Sequence, residues 1–255
     1  MLLAIDIGNT NTVIGLFEGE QLQFVARAQT NSHKTDAEYA VMLKDILTLY
    51  GYSPESVTGA CISSVVPAMK KPYERAIRLF CDVPVLTVGS GMKTGLNIQI
   101  DNPAELGTDL VCSAVAGIAK HPCPLIIFDL GTATKISAVD EKKNFVGVSI
   151  MPGIQISLNA LSSVAAQLPH ISLEAPPSVI GKNTIDSMRS GIVLGTAAMM
   201  DGMIRRFKAE LGENLTVLVT GGLSTEIVPH CEETVSADQY LVLEGLRILY
   251  HKNKK

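Results

Sequence analysis

The strongest constraint on this chain is a motif that occurs twice. From Leu3 the sequence runs Leu-Ala-Ile-Asp-Ile-Gly-Asn-Thr-Asn-Thr-Val-Ile-Gly-Leu, and from Leu125 it runs Leu-Ile-Ile-Phe-Asp-Leu-Gly-Thr-Ala-Thr-Lys-Ile-Ser-Ala-Val. Each copy is an apolar run ending near an Asp, a short polar turn with a Gly, and a second apolar run. That is the pattern of a strand, a tight turn and a strand. Asp6-Ile7-Gly8-Asn9-Thr10 aligns with Asp129-Leu130-Gly131-Thr132-Ala133, close to half the chain further on. A single copy is compatible with ordinary turn chemistry, because Asp and Gly are common turn residues. Two copies, each after an apolar strand, predict duplicated lobes that clamp one ligand between them.

The turn residues indicate the kind of ligand. Gly8 lets the backbone approach a bound group closely. Asn9, Thr10, Asn11, Thr12 and the turn N–H groups are donors, and Asp6 adds a carboxylate at a strand end. Donors around a Gly turn plus one carboxylate suit a phosphate and its metal ion. Other phosphate motifs are missing. Gly181-Lys182-Asn183-Thr184 lacks the upstream Gly of a P-loop and has Asn where its hydroxyl belongs. Gly89-Ser90-Gly91 continues to Gly95 at the wrong spacing for a dinucleotide fingerprint. Ser90-Gly91-Met92-Lys93 matches S-x-x-K without the motifs that accompany it in β-lactamases.

The chain has 255 residues, 47% hydrophobic and 18% charged, enough for one large domain or two ordinary ones with a filled core. A net charge of −4 argues against a nucleic-acid-coating protein. The basic residues His251, Lys252, Lys254 and Lys255 read as a solvated tail. No apolar run reaches the length of a membrane span, and Asp6 interrupts the apolar start, so neither membrane insertion nor a signal peptide is expected. The 5 cysteines have no C-x-x-C spacing and fit buried, reduced thiols of a cytoplasmic protein without structural zinc.

Along the chain, Thr35-Asp36-Ala37-Glu38 has capping-box form and opens an amphipathic helix that Gly51 stops. Strands are expected over Val57–Val66 and Pro84–Val88, with a helix over Ala68–Cys81 between them. Gly89–Gly107 reads as a long functional loop, and the next helix buries Leu106, Leu110, Val111, Ala114, Val115 and Ile118. The second hairpin is followed by a strand over Phe145–Ile150, helices over Ile154–Ala166 and Thr184–Leu211, a strand over Thr216–Thr220 and a C-terminal helix from about Asp238. The apolar face of Ile192–Met203 fits either core or a dimer surface. Strands then helices, twice, give an α/β protein with mixed sheets. The expected division is 1–118 and 119–255.

Two further features bear on chemistry. Thr220-Gly221-Gly222 follows a buried strand; its glycines could pass under a flat ring such as adenine, or could be a plain strand-to-helix turn. Asp109 falls in the first turn of the helix after the long loop. An acidic residue is favoured there by the helix dipole, and a carboxylate there could equally serve as a general base for a hydroxyl attacking a γ-phosphate.

Taken together, the two Asp-x-Gly hairpins and the Gly-Gly turn look like the superfamily of acetate and sugar kinases, Hsp70 and actin. More narrowly, the chain resembles the type III pantothenate kinases over nearly its full length. The resemblance is carried by Asp6–Thr12, Asn102-Pro103, Gly107-Thr108-Asp109, Asp129–Thr134, Pro152–Ser157, Gly181–Thr184 with Ser187-Met188 and Ser190-Gly191, and Thr220–Gly222. It implies ATP-dependent phosphorylation of pantothenate, the first step of coenzyme A biosynthesis. It also implies two RNase H-like lobes of the actin-like ATPase type, duplicated, with mixed sheets flanked by helices. A homodimer is implied, acting on pantothenate and ATP without nucleic acid or membrane.

Carried over by position, Asp6, Ile7, Gly8, Asn9, Thr10, Asn11, Thr12 and Val13 bind ATP phosphates, with Asp6 near Mg²⁺. Thr132, Gly221 and Gly222 contact ATP, and Asp129 matches a ligand for a monovalent cation, K⁺ or NH₄⁺. Asp109 matches the base. Ile100, Gly107, Thr108, Leu110 and Thr184 match the pantothenate site. Two positions depart from the pattern: many members have Arg where this chain has Leu110, and Tyr where it has Ile100. Loss of the Arg would remove a charge-assisted contact to the substrate carboxylate, for which Lys93 or Arg189 could substitute. Alternatives are another small-molecule kinase of the superfamily or a non-catalytic ATP-binding regulator.

Overall fold

The computed structural model describes residues 1–164 and 168–254. The expected helix end at Ala166 and the last tail residue, Lys255, lie outside the described residues. Two units are present: Met1–Leu96 with Asn102–Ala116 and the stretch from Leu241, and Asn97–Asp101 with Gly117–Tyr240.

The first unit is a sheet of 5 strands, β1 (Leu2–Ile7), β2 (Asn11–Glu18), β3 (Gln21–Gln29), β4 (Gly59–Ser64) and β5 (Val85–Thr87), in the order β3-β2-β1-β4-β5. β1, β2 and β3 form an antiparallel meander, and β4 and β5 continue parallel to β1. β3 lies in a stretch that carries no motif, although its Phe24 and Ala26 are buried on alternate positions. The period of two decides which side chains reach the site. Leu3, Ile5 and Ile7 face the core made with Tyr39, Leu43 and Leu47 of α1 (Asp36–Leu49) and Tyr73, Ala76 and Ile77 of α2 (Lys70–Phe80). Asp6 and Ser63 therefore share the opposite face. The expected capping box on Thr35 and Glu38 starts α1.

That opposite face carries α3 (Thr108–Lys120) and the C-terminal helix (Leu241–Asn253). A Cβ on Gly245 would overlap the Cys112 backbone, and one on Gly59 would overlap the Tyr250 ring, so both glycines mark tight packing. The expected division gave the last residues to the second lobe. The C-terminal helix instead packs on β1 and β4, because the Asp6 face of that sheet needs apolar cover.

The second unit repeats the plan. β7 (Leu125–Leu130), β8 (Ala133–Val139), β9 (Asn144–Pro152), β10 (Thr216–Thr220), β11 (Ser236–Ala237) and the short β6 (Asn97–Ile98) stand in the order β11-β10-β7-β8-β9-β6. From β9 to β11 the order and directions match those from β3 to β5, and β6 adds an edge strand from the long loop. The sheet is covered by α4 (Ile154–Val164), α5 (Thr184–Arg189) and α6 (Gly195–Leu211). The single helix expected over Thr184–Leu211 is interrupted by a π turn at Ser190–Leu194. Ile192, Val193, Ala197, Met200 and Ile204 are buried in the core, which accounts for the apolar face of this stretch.

Candidate active site

The first hairpin turn is braced from below. Gly8 N–H donates to Asn11 O at 3.0 Å, closing the turn. Asn9, Thr10 and Asn11 are exposed at its tip, whereas the side chains of Ile7 and Thr12 are fully buried. Ile7 and Thr12 thus shape the turn through the backbone, with their side chains turned inward. The Thr30 hydroxyl donates to Gly8 O at 2.8 Å and lies 3.0 Å from the Thr12 hydroxyl. A hydroxyl has one proton, so Thr12 donates to Thr30, and Tyr73 is hydrogen-bonded to the Thr12 side chain. Burial pushes the Tyr73 phenol up to about 12. Tyr39, its ring tilted against that of Tyr73 with centroids 4.3 Å apart, donates its hydroxyl to Asn31 O beside Thr30. Thr30 and Tyr73 belong to no motif; the only sequence signal for Thr30 is its place at the end of β3.

α3 is hung on the end of β4 by one side chain. The Thr108 hydroxyl lies 3.0 Å from Ser63 Oγ, accepts from Ser64 N at 3.2 Å and donates to Ser64 O at 3.2 Å. This sets Asp109, half-buried in the first turn of α3, over the ends of β1 and β4. Asp109 Oδ1 accepts from Leu110 N at 2.9 Å. A Cβ on Gly107 would come within 2.5 Å of the same oxygen, so Gly here leaves the carboxylate its place. Leu110 is only 6% exposed, so the departure from Arg is a core side chain.

Asp6 stands beside Ser63 in register, and Ser63 is bonded to Thr108, the residue before Asp109. The Cys112 thiol is raised far above its ordinary value by burial, and the charges of Cys61, Asp6 and Asp109 raise it further. Two carboxylates so placed fit Mg²⁺, a hard cation held through one or two carboxylates and substrate phosphates.

In the second unit, Thr132 is exposed at the tip of the hairpin. Gly221, at φ +100°, approaches so closely that a Cβ there would lie 2.7 Å from Leu130 O. The Gly-Gly turn and the second hairpin therefore adjoin. Asp129 Oδ2 lies 2.8 Å from Lys135 Nζ. That does not fit the expected ligand for a monovalent ion, since a protein ammonium already neutralises the carboxylate. Ile100 is half-buried just beyond β6. Thr184 lines an open cleft of about 660 Å³ with Lys182, Asn183, Ser187 and the apolar Leu161 and Met188. Arg189 is engaged elsewhere, 2.6 Å from Glu174 and 2.6 Å from Ser172. Lys93 is exposed, with its backbone held by Asn253.

The family model of type III pantothenate kinases matches residues 2–206. The chain belongs to this family. The type III pantothenate kinase of an Exiguobacterium species is 46% identical over 255 residues, covering 100% of both chains. Among solved structures, a Baf family transcriptional activator from Campylobacter jejuni superimposes with a TM-score of 0.58 at 16% identity, covering 98% of each chain. The activator of 2-hydroxyisocaproyl-CoA dehydratase from Clostridium difficile, with bound ADPNP, gives a TM-score of 0.56 at 12% identity over 98% of this chain and 93% of that one. At those identities the likeness is one of fold: two RNase H-like lobes of the actin-like ATPase type. As expected for a type III pantothenate kinase, the chain presents two Asp-x-Gly hairpins. All 5 cysteines are free thiols, and among the described residues no helix is long and apolar enough to cross a membrane.

Proposed function

We propose that the chain transfers the γ-phosphoryl group of ATP to the hydroxyl of pantothenate, giving ADP and 4′-phosphopantothenate, the first step of coenzyme A biosynthesis. Phosphoryl transfer asks a protein mainly to position groups and to stabilise charge. The backbone N–H groups of the turn from Ile7 to Val13 and the side chains of Asn9, Thr10 and Asn11 hold the phosphates. In the second unit the Gly221-Gly222 turn adjoins the hairpin that carries Thr132, an arrangement suited to a nucleotide. Asp6 holds Mg²⁺, which when bound neutralises charge on the phosphate oxygens. Asp109 accepts the proton of the attacking hydroxyl, its carboxylate aimed by Leu110 N and admitted by Gly107.

In the first unit Gly107 and Thr108 face the pantothenate hydroxyl beside Asp109, and Leu110 is buried beneath them. The residues at Asp129 do not fit a K⁺ or NH₄⁺ ion, because the Lys135 ammonium already stands against the carboxylate. The enzyme works as a cytoplasmic homodimer, which sedimentation velocity tests directly.

The observation that carries the reading is the register that sets Asp6 beside Ser63 at the ends of β1 and β4, with Thr108 bonded to Ser63 and Asp109 next in the chain. In a coupled ADP assay with pantothenate and Mg²⁺, Asp109→Asn is expected to lower kcat by about 10²–10⁴-fold. Wild-type turnover in that variant removes Asp109 from the role. A folded wild-type protein that phosphorylates other alcohols but not pantothenate overturns the substrate assignment.

A further inference from the structure

The second hairpin has a feature that the first lacks. In the antiparallel register Asp129 stands directly opposite Lys135, and their charged atoms are 2.8 Å apart. Their side chains are only 19% and 18% exposed. In the first hairpin the residue opposite Asp6 is Val13, which carries no charge. The lobes share strand order, so Lys135 is a specific addition at the second site.

We propose that the Lys135 ammonium is a built-in monovalent cation that takes the place of K⁺ or NH₄⁺ at Asp129, so that phosphoryl transfer needs no added monovalent ion. The proposal rests on the kinase reading above. The chemistry is close: a lysine head is an alkylammonium, a compact single charge with three donors. Its stem is fixed to the facing strand, so it is always present at high effective concentration, whereas a dissolved ion must be captured. A dissolved K⁺ would have to displace a partner shielded from water on most of its surface, where an ion pair is screened little by salt. Gly131 keeps the surroundings tight: a Cβ there would lie 3.3 Å from Asp129 Oδ1.

The test is turnover of the full-length enzyme in choline chloride, NaCl, KCl and NH₄Cl at matched ionic strength, beside melting temperatures in the same salts. The wild type is expected to turn over equally in all four and to melt at one temperature. Lys135→Thr and Lys135→Gln are expected to lose about tenfold or more in choline chloride, since breaking a largely buried pair strands a charge, and to recover in KCl or NH₄Cl. A wild type that is active only with K⁺ or NH₄⁺ overturns the proposal and leaves the kinase reading intact. Lys135 variants that keep full activity in choline chloride also overturn it. If no salt supports turnover, the kinase reading fails, and the melting data still decide: a wild type stabilised by K⁺ over choline refutes the built-in cation, and equal melting temperatures support it.

Discussion

Replacing Gly107 by Ala tests whether the position of Asp109 matters apart from its chemistry. The added Cβ would stand 2.5 Å from Asp109 Oδ1, whereas ordinary contact begins at about 3.4 Å. The carboxylate must therefore retreat by about 0.9 Å, or α3 must shift with it. Rotating the oxygen aside gives up its 2.9 Å bond from Leu110 N, worth about 1 kcal/mol net, and moves the carboxylate off its aim. A misplacement near 1 Å of a reacting group can cost about 10²-fold in rate. Gly107→Ala is thus expected to lower kcat by about 10–100-fold in the coupled ADP assay, with helix content unchanged. The decisive comparison is the double variant. If Gly107 acts only by aiming Asp109, then Gly107→Ala in an Asp109→Asn background adds little further loss, because the two changes share one target. Wild-type kcat in Gly107→Ala, or full additivity in the double variant, would refute the reasoning.

The bracing of the phosphate turn gives two more expectations. Thr30→Val keeps the β-branched shape but removes the bonds to Gly8 O and Thr12; each is worth about 1 kcal/mol net. It should raise KM for ATP by up to about tenfold and leave KM for pantothenate unchanged, and a change in the pantothenate term alone would contradict the bracing role. Tyr73, raised from an ordinary 10.0 to about 12, stays protonated in the native state where the unfolded chain has begun to ionise. Its contribution is complete below pH 10 and is lost as pH rises toward 12, since there the native state binds more protons than the unfolded one. Cys61, raised from 9.0 to about 12 by burial, acts in the same direction. Thermal melting should therefore fall across that alkaline window, and Tyr73→Phe should flatten the fall; an unchanged slope in the variant would assign the loss to other groups.

The fold was legible because its main signals are local. The apolar runs around Asp6 and Asp129 and the capping box at Thr35 each name an element without help from the rest of the chain. β3 carries equally regular alternation but no motif. The assignment of the C-terminal helix depends on which sheet face lacks cover, which is not a property of residues 241–253. The site was legible as residue types and less so as partners. Asp6, Asp109 and Gly107 are visible in the sequence, whereas Thr30, Ser63 and Tyr73 act through contacts across the sheet that only folding creates. The Arg-to-Leu departure at Leu110 read as a loss from the substrate pocket; its burial makes it a packing residue.

The duplicated motif also shows where a repeat stops being informative. Asp6 and Asp129 hold the same place in the same strand order, each between an antiparallel and a parallel neighbour. Their neighbours differ: Val13 and Ser63 flank the first, Lys135 and Thr220 the second. Asp6 acts, with Asp109, on the buried Cys112 thiol. Asp129 is matched by a cation of the protein itself. Equal motifs on equal scaffolds thus carry different cross-strand neighbours, Val13 and Lys135, so the register of each hairpin must be known before its Asp can be assigned a ligand.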